Sequence, residues 1–125
     1  MSEAFYSKEH QWVRIEGNEA RVGITDFAQS SLGDVVYVEL PALGTGFAKG
    51  EQAAVVESVK TASEVYSPVG GTVSSVNAAL GPKPELVNSD PEGDGWFFTL
   101  EVASKPDYAG LMTAEAYADY VKTLE

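Results

Sequence analysis

Ala53–Val76 reads AAVVESVKTASEVYSPVGGTVSSV. It holds three short strand-like runs, Ala53–Val59, Ala62–Tyr66 and Thr72–Val76, the first two only two residues apart. A chain this β-rich must reverse between them, yet Glu57–Glu64 contains no Gly, Pro, Asn or Asp. A type I turn accepts such residues, so the segment reads as a hairpin with Lys60 at its tip. On spacing alone Lys60 is open to two readings: an exposed solubilising lysine, or an amine presented to a modifying enzyme.

The flanking sequence has the same grammar. Gln11–Glu16 (QWVRIE) and Ala20–Ile24 alternate around Gly17-Asn18, a hairpin pattern. Val35–Leu40 (VVYVEL) stops at Pro41, and Trp96–Val102 (WFFTLEV) is a further strand. Many short strands punctuated by Gly and Pro predict an all-β sandwich or barrel. Two short helices are expected outside it. Thr25 caps one that runs through Phe27, Ala28 and Leu32 to Gly33. Thr113 caps a C-terminal helix whose stripe of Tyr117, Tyr120, Val121 and Leu124 is a packing face. A G-x-V-x-x-V pattern recurs at Gly33–Val38 and Gly71–Val76, a faint hint of two similar halves.

Composition narrows the chemistry. The 125 residues suffice for one domain, residues 1–125 with a core of about 5–121. Eight Lys and Arg against nineteen Asp and Glu give a net charge of −11, which argues against nucleic acid and for partners with basic docking faces. With no Cys and one His, thiolate nucleophiles and Cys- or His-based metal sites fall away. Apolar runs such as Val35–Val38 are far too short to span a membrane, and residues 1–20 lack a signal-peptide pattern. The expectation is a cytoplasmic monomer without membrane contact, or a mitochondrial-matrix protein if the chain is a processed mature form.

Other motifs read blandly. Gly44–Gly50 (GTGFAKG) has neither the G-x-G-x-x-G nor the Walker spacing and reads as an inter-strand turn. Asn88–Gly93 (NSDPEG) mimics the start of a calcium loop, but position 12 is Thr99 instead of Glu, so it reads as a structured connection. His10 has no triad spacing with Ser7 or Asp26 and reads as a hydrogen-bonded structural residue.

Taken together, VVESVKTASEVYSPVGGTV, YSKEHQWV, VGITDFAQSSLGDVVYVELP, PELVNSDPEGDGW and the helix AEAYADY resemble the glycine cleavage system H proteins, in order, from about Phe5 to Val121. Biotin carriers are similar in fold but place Met on both sides of their lysine, whereas Lys60 lies between Val59 and Thr61. The resemblance implies a barrel-sandwich hybrid of two antiparallel sheets with short peripheral helices and a C-terminal helix. It implies (R)-lipoate in amide linkage to Lys60, with Glu57, Ser58 and Val59 helping a lipoate-attaching enzyme recognise that lysine. It also implies a non-catalytic shuttle. Glycine decarboxylase (the P-protein) loads an aminomethyl group, aminomethyltransferase (the T-protein) removes the carbon, and dihydrolipoyl dehydrogenase (the L-protein) reoxidises the arm. Two other roles need separate tests: a lipoate donor to other lipoyl domains, which also needs Lys60, and an unmodified H-like interaction domain, which does not.

The resemblance further implies a cleft on the body that receives the loaded arm, with Glu9, Gln11 and Glu64 around it. Many family members read H-E-W where this chain reads His10-Gln11-Trp12. A neutral amide offers the cationic arm no opposite charge, so Gln11→Glu is expected to strengthen the hold and Glu64 to carry most of it here.

Overall fold

The computed structural model describes residues 3–102 and 111–124. Among them the strands are β1 (Glu3–Tyr6), β2 (Gln11–Glu16), β3 (Glu19–Ile24), β4 (Val35–Glu39), β5 (Gly46–Phe47), β6 (Gln52–Ser58), β7 (Ala62–Tyr66), β8 (Gly71–Val76) and β9 (Phe98–Glu101). The helices are α1 (Asp26–Leu32), α2 (Leu86–Ser89) and α3 (Ala114–Lys122), with a 3-10 turn at Ala78–Leu80. Two sheets, ordered β1-β2-β3-β9-β8-β5 and β4-β6-β7, form a barrel-sandwich in which every paired neighbour is antiparallel.

The first hairpin follows its pattern. Gly17 supplies the positive φ, 59°, that the tight turn between β2 and β3 demands. Val13 and Val22 face each other across the strands and are fully buried. Trp12, on the opposite face, is buried as well, because it lies flat over Gly23, its cross-strand partner. A Cβ at Gly23 would stand 2.8 Å from the indole, so a strand residue is glycine here to make room for a ring. The segment after α2 closes over the same tryptophan, whose Nε1 donates to Pro91 O at 2.9 Å.

Both expected helix caps are present: Thr25 Oγ1 accepts from Ala28 N and Thr113 Oγ1 from Ala116 N. Tyr117 is the buried residue of α3, but Leu124 lies past the helix end and is exposed, so the packing stripe is shorter than its spacing suggests. The strand expected from Trp96 begins at Phe98, and just before it Asn77 Nδ2 donates to Asp94 O and Trp96 O. The two G-x-V-x-x-V segments fall in different sheets, and their glycines serve different ends. Gly33 caps α1 at φ 80°, whereas a Cβ at Gly71 would lie 2.7 Å from Glu101 O.

Val13, Val22, Phe98 and Leu100 of the large sheet pack against Val38, Val56 and Val65 of the small one in a shared core. On the outer face of the large sheet, away from this core, one buried side-chain polar atom is unmatched among the described residues: Thr99 Oγ1, on β9, has no hydrogen-bond partner. Leaving a buried hydroxyl unpaired is costly. Thr99→Val, which keeps the shape, is expected to raise stability by about 1 kcal/mol. A higher urea midpoint at unchanged slope supports this, and a lower midpoint contradicts it.

Candidate functional site

The turn between β6 and β7 is built from ordinary residues and stiffened by a side chain. Glu57 pairs with Ala62, and Ser58 N donates to Thr61 O at 2.8 Å, leaving Val59-Lys60 as the reversal. Neither takes a positive φ; His10 alone does so among the described non-glycine residues. Ser58 Oγ accepts from both Lys60 N and Thr61 N at 3.2 Å. Val59 N is bonded outside the hairpin, donating to Asp34 O at 3.0 Å. Val59 is two-thirds exposed and Lys60 is exposed, while Glu57 and Ser58 are half-buried.

The Lys60 stem lies against the C-terminus of α1. A Cβ at Gly33 would come within 2.9 Å of Lys60 Cε and 3.8 Å of Nζ. Gly33 is required for its φ of 80°, and the lysine stem, whose flexible end can swing aside, crosses it in van der Waals reach.

Beside this corner lies a cleft of about 240 Å³. Phe27, Ala28 and Leu32 of α1 give it an apolar wall, Val56, Ser63, Glu64 and Val65 come from β6 and β7, and Glu9, His10 and Gln11 close the third side. Glu9, Gln11 and Glu64 thus meet around one cavity although 53 positions separate Gln11 from Glu64 (64 − 11). From sequence, α1 is legible only as a short capped helix through Phe27, Ala28 and Leu32, with no sign that it walls a cleft.

The three polar residues differ in availability. Glu9 and Glu64 are exposed, and Glu64 Oε2 accepts from Tyr66 OH at 2.6 Å. That bond to Glu64 raises the Tyr66 phenol above its ordinary pKa. Gln11 is only 2% exposed and is committed internally: its Oε1 accepts from Ser7 Oγ at 2.8 Å and its Nε2 donates to Glu9 O at 3.1 Å. A carboxylate at position 11 would face the Glu9 carbonyl in a buried setting. The expectation that Gln11→Glu strengthens the cleft therefore meets a desolvation cost that the sequence does not reveal.

His10 is held as a structural residue. Its Nδ1 is 2.7 Å from Tyr117 OH, which is 2.8 Å from the Thr25 hydroxyl that caps α1. Burial lowers the His10 pKa below its ordinary value despite Glu9 nearby. Beside them, Tyr6 OH donates to Glu92 Oε1 at 3.0 Å, and burial, aided by Glu92, pushes the phenol up to about 12. The Tyr117–Thr25 bond joins α3 to the N-cap of α1, so the α1 wall is anchored at its start.

A second depression, about 250 Å³, lies on the outer face of the large sheet among Arg14, Glu16, Glu19, Arg21 and Thr99. None of its lining residues comes from the hairpin. Arg14 and Arg21 instead lie over the Trp12 and Trp96 rings. The calcium-like stretch is equally occupied with structure: Asn88 Oδ1 accepts from Val35 N, and Asp90 Oδ2 from Asp94 N. The Gly44–Gly50 turn contains the two-residue strand β5 between glycines at φ 83° and 88°.

Comparison with known proteins agrees with this architecture. The model of the family described as glycine cleavage H-protein matches residues 4–124. A glycine cleavage system H protein of Beijerinckia indica is 53% identical over 124 residues, covering 99% of this chain and all of that protein. One from Thermus thermophilus is 53% identical over 119 residues, 95% of this chain and 93% of its own. The crystal structure of a glycine cleavage system H protein from Mycobacterium marinum is similar with a TM-score of 0.87 at 33% identity, over 96% of this chain and 97% of that one. With the fold, the family model and near-complete alignment all in agreement, the chain belongs to the glycine cleavage H-protein family.

Proposed function

We propose that this protein is the lipoyl-bearing carrier of a glycine cleavage system, acting as one domain over residues 1–125. On this reading it moves between the P-, T- and L-proteins and is not itself a catalyst. The observation that carries the reading is Lys60, exposed at a braced two-residue turn beside a cleft that two carboxylates border. The site fits an acylated lysine. The Nζ is at the surface, the stem is laid over a glycine, and the adjoining cavity has an apolar wall and an acidic rim. A lipoyl group held in amide linkage on Lys60 Nζ would supply a cyclic disulfide able to carry an aminomethyl group, its reduced dithiol being returned to the disulfide by the L-protein.

The chain's own residues present and shelter that group. Ser58 shapes the turn that a lipoate-attaching enzyme reads together with Glu57 and Val59. Phe27 and Leu32 exclude water from the cleft, Glu64 and Glu9 offer negative charge to a cationic arm, and Tyr66 orients Glu64. Gln11 supports Glu9 through its backbone carbonyl. The absence of Cys keeps the chain from forming mixed disulfides with a dithiol of its own. The −11 charge favours rapid encounter with basic docking faces in the cytoplasm.

Two outcomes follow. Lys60→Arg keeps the charge but removes the nucleophilic amine. It is expected to fold normally and accept no lipoate, with Lys8, Lys49, Lys83, Lys105 and Lys122 unmodified; of these, Lys105 lies outside the described residues. Peptide mapping after incubation with a lipoate-attaching enzyme checks this, and an adduct on any other lysine refutes it.

Gln11→Glu is expected to destabilise the protein by about 1–3 kcal/mol at pH 8 and far less near pH 5. Burial raises the folded-state carboxyl pKa above the ordinary value of about 4.3. The folded state then holds a proton the unfolded state has lost, and stability falls as pH rises from the unfolded pKa through the folded one. Melting the variant and wild type at both pH values measures the difference. Equal melting at pH 8 contradicts the buried, committed role of Gln11.

A further inference from the structure

The corner between α1 and β4, Gly33–Val35, supports the lysyl hairpin, and a side chain from far along the chain supports the corner. Asn88, half-buried in α2, spends its amide entirely on it. Its Oδ1 accepts from Val35 N at 2.8 Å, and its Nδ2 donates to Gly33 O at 2.8 Å and to Gln29 Oε1 at 3.0 Å. These partners are the first residue of β4, the C-cap of α1 and the turn before it. The corner then touches the hairpin twice. Asp34 O accepts from Val59 N at 3.0 Å, and Gly33 passes beneath the Lys60 stem. Leu32, next in line, is in the cleft wall.

We propose that Asn88 is a positioning residue for the arm: by clamping Gly33–Val35 it holds the hairpin tip against α1 and lays the Lys60 stem along Gly33 toward the cleft. This rests on the reading of Lys60 as the attachment site and adds a residue that touches neither the lysine nor the cleft. The chemistry demands an amide. The corner offers a carbonyl and an N–H side by side, which need one donor and one acceptor on the same short side chain. Aspartate keeps the acceptor for Val35 but sets a carboxylate against Gly33 O and Gln29 Oε1. The helix α2 does not depend on this clamp for its own anchorage, since Val87 is fully buried in the core.

The test compares wild type, Asn88→Asp and Val22→Ala, a core truncation of β3 that lowers global stability without touching the corner. Amide hydrogen exchange is measured on the protein without lipoate. In Asn88→Asp the Val59 amide is expected to exchange about tenfold faster, while the Val56 amide, three residues earlier in β6, keeps its protection relative to global stability. In Val22→Ala the two amides should change together. If Asn88→Asp does not fold, Asn88→Ala removes the same bonds without adding charge and takes its place. An unchanged Val59 amide, or equal loss at Val59 and Val56, overturns the proposal.

The lipoylated protein gives the second readout: contacts from the lipoyl methylenes to Phe27 and Leu32 by nuclear Overhauser effect. They should be present in wild type and weakened in Asn88→Asp. Contacts that persist undiminished in Asn88→Asp count against Asn88. Their absence from wild type counts against the cleft reading alone, because the Val59 exchange still judges the clamp.

Discussion

The hydrogen bond from Val59 N to Asp34 O is the constraint on which the presentation of Lys60 depends. Two-residue hairpins favour turns whose residues take positive φ, because those match the twist of the strands. Val59 and Lys60 do not take it. A turn of the other hand tends to splay its strands, so this one needs bonds the backbone ladder does not provide. Ser58 Oγ supplies two from within and Asp34 O supplies one from the corner before β4. The result is a tip fixed on two sides with a long side chain at its apex, so precision resides in the scaffold and reach in what the lysine carries.

The same corner explains why α1 lies where it does. Thr25 caps its start and shares a hydroxyl contact with Tyr117, which stacks on Tyr6 and approaches His10. At the other end Gly33 stops the helix and makes room for the lysine stem. A helix of seven residues is too short to be stable by itself. Its two ends are held by Tyr117 of α3 and Asn88 of α2, and its inner face becomes the wall of the cleft.

Much of this was legible in the sequence because the signals were local. The strand runs, the Thr25 and Thr113 caps and the reversal at Lys60 all follow from residue types a few positions apart. The resemblance to H proteins rested on separated motifs in a fixed order. What stayed hidden required knowing which distant residues meet. The strand β5 has two residues and pairs only because β8 lies beside it. The bulge in β4, which turns both Val36 and Tyr37 outward, appears only once its register against β6 is known. The resemblance puts Gln11 beside the arm cleft, but that its amide is buried and already bonded to Ser7 and Glu9 emerges only from the structure. Asn88 reads as the first oxygen of a failed calcium loop, and its partners lie 53 to 59 positions earlier in the chain.

The most direct test of the account is the exchange of labelled bicarbonate into the carboxyl group of glycine. A purified glycine decarboxylase would be supplied with this protein before and after lipoate has been attached. The account predicts exchange that is negligible with the unmodified chain and rises with the fraction lipoylated at Lys60. No exchange above background with fully lipoylated, folded protein, using a decarboxylase that works with another H protein, would contradict it.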